Sequence, residues 1–286
     1  MTILVGFSTS RQSDAPINLA IRIAHSSGES VVAAAVAERS WPPRSDPVED
    51  EYVTYVCEQA RTSLERVIGR VGGGLDIPIV IHQSASIPAG LLELATEHRA
   101  SMVVVGSSSS GLLGRVALGS VTDRLVHTAV VPVAIAPRGY PATPEPLTRI
   151  TAAYGAEADL NGLVAAAAGL AKAWSIPMRI VSFSVRPFSI EPAENLVVGQ
   201  WAQRMEHEVT EQLNKVRQNF AVPDVDVVVG TGRTWRDAVE GVPWESGELL
   251  ALGSGAAGAI SHVFLGSAAA KIVRHSSVPV LIMPRQ

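Results

Sequence analysis

The sequence predicts an α/β fold of two tandem doubly wound domains. Each is expected to be a five-stranded parallel sheet, order 3-2-1-4-5, with helices on both faces. Two observations carry this. Short apolar runs alternate with amphipathic ones along the whole chain. One stretch also occurs twice, as MVVVGSSSSGLLGRVALGSVTDRLVHTAVVPVAIAPR over 102–138 and as LLALGSGAAGAISHVFLGSAAAKIVRHSSVPVLIMPR over 249–285. Gly106, Gly111, Gly119, Ser120, Pro132, Pro137 and Arg138 recur at one constant offset as Gly253, Gly258, Gly266, Ser267, Pro279, Pro284 and Arg285. A repeat of this size marks a duplicated structural unit. The expected division is 1–140, a linker over 141–148, and 149–286.

In the first half, Thr2 to Phe7 reads as a buried strand, followed by a Ser8-Thr9-Ser10 turn. Ile17, Ala20, Ile21 and Ala24 share one helix face. Val31 to Ala37 is a second buried strand, and Trp41-Pro42-Pro43 breaks the chain. Glu49 to Ile68 has the period of a long amphipathic helix, stopped by Gly72-Gly73-Gly74. Ile77 to His82 is a third strand, and Pro88 opens a helix reaching His98. The repeated stretch supplies strand four, a glycine loop, helix four and strand five, Val131 to Ala136. Gly139 to Thr148 holds three prolines and no periodicity, as a linker does. The second half replays the order: strand Arg149 to Tyr154, helix Asp159 to Trp174, strand Met178 to Val185, helix Glu191 to Phe220, strand Val225 to Val229, helix Thr234 to Val242, then the second copy.

Bulk properties exclude several classes. The chain has 286 residues, enough for two domains of ordinary size. It is 47% hydrophobic and 17% charged, which reads as a soluble globular protein. A net charge of -4 gives no electrostatic footprint for nucleic acid. One cysteine, Cys57, rules out a disulfide framework and is read as structural. The longest apolar run, Leu163 to Ala171, is short of the roughly 20 residues a membrane span needs, so no membrane association is expected. A first strand starting at Thr2 leaves no room for a signal peptide, and a cytoplasmic location is expected.

The chemistry is concentrated in the glycine loop. In an open parallel sheet, ligands bind outside the carboxyl ends of strands where the strand order reverses. Strands one and four flank that reversal. Gly106 lets the chain turn off strand four, and Gly119-Ser120 opens a helix whose free N–H groups and dipole favour an anion. Hydroxyls at Ser107 to Ser110 and at Ser120 are candidate phosphate donors, with Arg115 as a candidate cation. The plain structural alternative is a flexible serine-glycine connection, with Ser120 and Asp123 as a capping box.

The repeated stretch resembles the universal stress protein family, over nearly the whole chain as two tandem domains. The family motif is glycine, two residues, glycine, nine residues, glycine, then serine or threonine. Gly106 and Gly119-Ser120 match that spacing, as do Gly253 and Gly266-Ser267, and each half ends in the family's Val-Pro-Val strand. The resemblance implies a regulatory stress-response protein, not an enzyme. Members divide into ATP binders and non-binders. In binders the motif glycines and the final serine contact phosphates and ribose, an aspartate ends strand one, and a backbone group ending strand two meets the adenine. Carried over here, the site is Ser8, Val36, Gly106, Ser107, Ser109, Gly111, Gly119 and Ser120, with Gly253, Ser254, Gly266 and Ser267 in the second half and Val185 as the counterpart of Val36. The implied cofactor is ATP with Mg²⁺. The family's last strand pairs with its mate, so the two halves are expected to form an intramolecular pseudo-dimer; a further homodimer stays open.

Both halves depart from the ATP-binding pattern. The second motif glycine is Ser109 in one half and Ala256 in the other, with Gly111 and Gly258 two residues later as a shifted turn. A positive φ at that position would make the side chain cost roughly 1–2 kcal/mol. The strand-one aspartate falls on Ser8, and on Tyr154 or Gly155 in the second half. Binding is therefore expected in the first half before the second. The alternative is a nucleotide-free interaction module. A third, weaker option is adenylate transfer, for which no histidine or lysine signature is present. No Gly-Lys-Ser/Thr follows the glycines, no Gly-x-Ser-x-Gly follows a strand, and the seven histidines lack ligand spacing. Glu93 and Glu97 read as a solvated helix face, and Trp201, Trp235 and Trp244 as packing or interface residues rather than stacking platforms.

Overall fold

The computed structural model describes residues 1–8, 13–39, 46–72, 74–155, 162–185, scattered positions between 203 and 214, 225–253 and 266–284. The chain divides into two compact units, Met1–Pro146 and Leu147–Gln286.

The first unit runs β1 (Thr2–Gly6), α1 (Ala15–Ser27), β2 (Ser30–Glu38), α2 (Pro47–Val71), β3 (Ile79–Ser84), α3 (Ile87–Glu97), β4 (Ala100–Gly106), α4 (Ser120–Thr128) and β5 (Val133–Ala136). The strands pair in parallel in the order β3-β2-β1-β4-β5, as expected. Ile3, Leu4 and Val5 of β1 and Val103 and Val104 of β4 have no exposed surface. These two inner strands are apolar on both faces because helices cover both, whereas β3 is mostly half-buried. α1 ends where Gly28 takes φ 70° and its N–H caps Ala24 O. α2 starts at Asp46, whose side chain accepts from Val48 N–H, and α3 starts at Ser86, which accepts from Ala89 N–H.

The second unit runs β6 (Arg149–Ala153), α5 (Leu163–Ala173), β7 (Met178–Val185), β8 (Asp226–Gly232), α6 (Trp235–Glu240), β9 (Glu248–Gly253), α7 (Ser267–His275) and β10 (Val280–Met283). Its parallel order is β8-β7-β6-β9-β10, the same 3-2-1-4-5 pattern. The helix expected over Glu191 to Phe220, Trp201 included, lies outside the described residues apart from scattered positions.

Three local readings change. The capping box is not at Ser120 and Asp123. Gly119 is the N-cap of α4, with no side-chain cap bond, and the reciprocal box is formed in the second unit by Thr234 and Asp237. The stretch read as a linker is held against α1: Asn18 Nδ2 donates to Tyr140 O at 2.9 Å, and Arg22 donates to Tyr140 Oη at 3.1 Å and Pro146 O at 3.2 Å. Finally, Glu93 is not simply solvated. It takes hydrogen bonds from His82 Nε2 at 2.6 Å and from Ser84 Oγ at 3.2 Å.

Candidate functional site

In the first unit, the carboxyl ends of β1 and β4 lie side by side, and four features meet there. β1 ends at Gly6; Phe7 N–H still bonds Ala34 O at 2.8 Å, and exposed Ser8 follows. β4 ends at Gly106, whose carbonyl accepts from Thr122 Oγ1 at 3.3 Å and so ties α4 to the strand. Pro16, at the start of α1, lies 3.5 Å from where a Gly106 Cβ would sit, an ordinary contact distance. On β2, Ala33 N–H bonds Pro78 O and Arg39 N–H bonds Ser84 O, so odd-numbered residues face β3. Even-numbered residues therefore face β1, and the N–H and C=O of Val36 point past its end. The Val36 side chain packs onto α3, where a Cβ on Gly90 would lie 2.7 Å from Val36 Cγ1.

The loop after β4 is a tied turn rather than an open row of hydroxyls. Ser107 Oγ accepts from Ala117 N–H and lies 3.1 Å from Ala117 O. Ser108 is buried; its N–H bonds Ala117 O at 2.7 Å and its hydroxyl meets Ser110 Oγ at 2.9 Å. Arg138 closes the loop from outside: Nη1 donates to Gly111 O at 2.8 Å, its N–H to Arg115 O, and its carbonyl accepts from Gly114 N–H. Ser107 and Ser108 thus hold the loop's own backbone. Ser109 and Ser120 are exposed at its surface. The N–H groups of Ser120, Val121 and Thr122 at the start of α4 lack intrahelical partners, as at any helix start, and the first helical bond runs from Asp123 N–H to Gly119 O at 2.8 Å. Asp123 in that turn opposes an anion, but it lies 3.6 Å from His127.

The positive φ of this loop belongs to neither Ser109 nor Gly111. Gly114 carries it, at 72°, and Arg99 and Ser175 are the non-glycine positive-φ residues among those described. Ser109 therefore carries no left-handed strain. Gly111 is needed for closeness: a Cβ there would lie 2.6 Å from Ala117 Cβ. The reading of Gly111 as a shifted conformational glycine gives way to one of close approach.

In the second unit, Tyr154 N–H bonds Val181 O as Phe7 N–H bonds Ala34 O. Tyr154 is thus the counterpart of Phe7, and Gly155 that of Ser8, so the strand-one position has no side chain here. The same register makes Phe183, not Val185, the counterpart of Val36. Gly253 ends β9 beside Leu163, and Gly266 caps α7 with Ser267 exposed. Ser254, Ala256 and Gly258 lie outside the described residues.

At the opposite, amino ends of β6, β7 and β9 sits a buried ionic cluster. Glu248 accepts from Thr151 Oγ1, from Arg179 Nη2 at 2.6 Å, from Arg149 Nη2 at 3.2 Å and from Glu245 N–H at 3.0 Å. Arg179 also stacks over Trp244 at 5.4 Å, whose Nε1 bonds Val239 O. Burial lowers Arg179, with Arg149 adding to it, whereas at Arg149 burial is outweighed by Glu248 and Glu245 and the pKa rises. A cavity of about 580 Å³ opens beside the cluster. Its arginines are already bonded to carboxylates, so it offers no ready anion site. Sequence reading missed this cluster, since its residues are far apart in the chain. It also missed Arg138, whose recurrence as Arg285 was the available signal.

A model of the Universal stress protein family matches residues 1–137 and again residues 146–284. The chain belongs to the universal stress protein family. A universal stress protein of Mycobacterium tuberculosis strain H37Rv is 36% identical over 295 residues, covering 99% of this chain and 100% of the relative. A second one from that strain is 28% identical over 301 residues, covering 98% and 96%. Among solved structures, a universal stress protein from Archaeoglobus fulgidus superposes with a TM-score of 0.65 at 16% identity, covering 100% of this chain and 98% of that one. That likeness confirms the family fold. Among the described residues, no helix is long and apolar enough to cross a membrane, and no group of three or more metal-binding side chains is present.

Proposed function

We propose that this universal stress protein is a regulatory protein that binds an adenine nucleotide, ATP with Mg²⁺, in the first unit without efficient turnover. What supports the reading is that the α4 N-terminus, exposed Ser109 and Ser120, and the outward-facing backbone of Val36 all lie at or follow the carboxyl ends of neighbouring strands of the first sheet. The helix start and the hydroxyls suit phosphate oxygens. The Val36 amide and carbonyl suit the hydrogen-bonding edge of a base. No carboxylate stands at Ser8, so the nucleotide's own phosphates would supply the charged ligands of Mg²⁺. The described crevice residues supply no catalytic base, and steady turnover should stay below about 1 s⁻¹.

A nucleotide-free interaction module is the second reading. It is favoured by Ser107, whose hydroxyl serves the loop, and by Gly155 at the second unit's strand-one position. Calorimetric titration with ATP and Mg²⁺ separates the two, run on the wild type and on Gly119→Ala and Gly266→Ala variants. Micromolar binding lost only in Gly119→Ala supports a single site in the first unit. Absence of heat and of thermal shift at millimolar ATP sinks the nucleotide reading and leaves the interaction module.

A further inference from the structure

Two helical surfaces of this chain carry opposite charge, each with exposed or half-buried aromatics. The first is on α2. Val48, Tyr52 and Tyr55 follow helical spacing and are 74%, 65% and 59% exposed. Glu51 and Glu58 flank them, exposed and without an ion pair among the described residues. From Pro47 to Ala60 the helix holds four acids and no lysine or arginine: Glu49, Asp50, Glu51 and Glu58. Asp50 pairs with Arg39 at 2.5 Å.

The second surface is formed by α6 and α7. Arg233, Arg236, Lys271 and Arg274 are exposed, and none makes an ion pair among the described residues. The Lys271 ammonium sits 5.6 Å above the half-buried Trp235 ring. Two acids lie on α6: Asp237, whose carboxylate takes Thr234 N–H at 2.9 Å in the capping box, and Glu240 at its last position, so the described charge of the patch is net positive. The fold does not require this patch. Matching the N-caps Ser86 and Thr234 sets Ala85, Ile87 and Pro88 opposite Arg233, Trp235 and Arg236, and the repeat sets Arg124 and His127 opposite Lys271 and Arg274.

We propose that the α6/α7 face docks the acidic, tyrosine-bearing face of α2 of a second copy of this chain. An excess of like charge on adjacent helices raises the local potential and steers a partner of opposite sign. Tyrosine, tryptophan and arginine are the residues that anchor interfaces once desolvated. A glutamate-and-tyrosine face meets both needs of a surface made of three arginines, a lysine and a tryptophan, and the chain itself carries one.

Sedimentation velocity tests this with the full-length protein and three variants: Lys271→Glu/Arg274→Glu, Glu51→Lys/Glu58→Lys, and the four substitutions combined. The wild type should self-associate, with an apparent dissociation constant rising at least about tenfold between roughly 50 mM and roughly 500 mM NaCl. Each two-residue reversal should remove association. Mixing the two reversals, or combining them in one chain, should restore it, which a folding defect would not do. A wild type that stays monomeric at about 200 μM in low salt overturns the proposal. So does a reversal that associates like the wild type, or a mixture of two folded reversals that stays monomeric.

Discussion

Arg179 Nη2 lies 2.6 Å from Glu248 Oε1, and both side chains are buried at the amino end of the second sheet. One carboxylate is shared by Arg179 and Arg149, and a backbone N–H and a hydroxyl fill its other lone pairs. Removing the carboxylate strands the buried Arg179 guanidinium with little water, while Arg149 keeps Glu245 at 3.2 Å. Glu248→Gln should destabilise the second unit by about 3–5 kcal/mol in urea unfolding. The pair Arg179→Met and Glu248→Leu together should cost clearly less than the sum of the single changes. Additive costs would show that the residues do not act as one cluster.

The tied loop predicts an order among its residues. Ser107→Ala leaves the Ala117 N–H without its acceptor and should cost about 1–3 kcal/mol. Ser109→Gly relieves no left-handed strain, because Ser109 has none. Its thermal midpoint should stay at or slightly below that of the wild type. A clear rise on Ser109→Gly would contradict the geometry.

Gly114 and Gly106 should respond in opposite ways to a methyl group. Gly114→Ala places a side chain at φ 72° and should cost about 1–2 kcal/mol despite open space around it. Gly106→Ala meets Pro16 only at ordinary contact distance and should be nearly neutral in stability. Chemical denaturation of both variants checks the ranking.

Gly90 supports the Val36 end of the crevice. A Cβ there would lie 2.7 Å from Val36 Cγ1 and 3.0 Å from Ser84 Cβ. Gly90→Ala should cost about 1–3 kcal/mol as an overpacked site. If Val36 meets the base, ATP affinity should fall further than in Gly106→Ala. Equal affinities in the two variants would remove Val36 from the site.

Tyr140 gives a dependence on pH. Burial raises its phenol above the usual value near 10, and Arg22 acts the other way without cancelling it. The folded state therefore holds this proton to higher pH than the unfolded state. The stability it represents is complete below the unfolded pKa and is lost as pH rises through the folded one. Melting temperatures between about pH 9 and pH 11 should fall more steeply for the wild type than for Tyr140→Phe. Parallel slopes would show that Tyr140 does not titrate with unfolding.

Much of the fold was legible in the chain. The inner strands are runs of residues buried on both faces, such as Ile3 to Val5 or Leu249 to Leu252, and such runs read directly as apolar sequence, whereas β3 and β8 are mostly half-buried. The duplication was legible because glycine and proline mark backbone geometry at fixed spacing. The helix start at Gly119-Ser120 was legible for the same reason. Hydroxyls were not. Ser107 and Ser109 look alike in sequence, yet one binds the loop's backbone and the other faces solvent.

By itself, then, the sequence determined the repeated α/β architecture, the strand order and the place of the glycine loop, because period and backbone permission are local properties. Tertiary structure decided which groups remain free to act. It turned Ser107 inward and exposed Ser109, made Gly155 rather than Tyr154 the counterpart of Ser8, and gathered Arg149, Thr151, Arg179 and Glu248 around one buried carboxylate. Those outcomes depend on register and on close packing between segments remote in the chain, where a shift of one residue sends a side chain to the other face of the sheet.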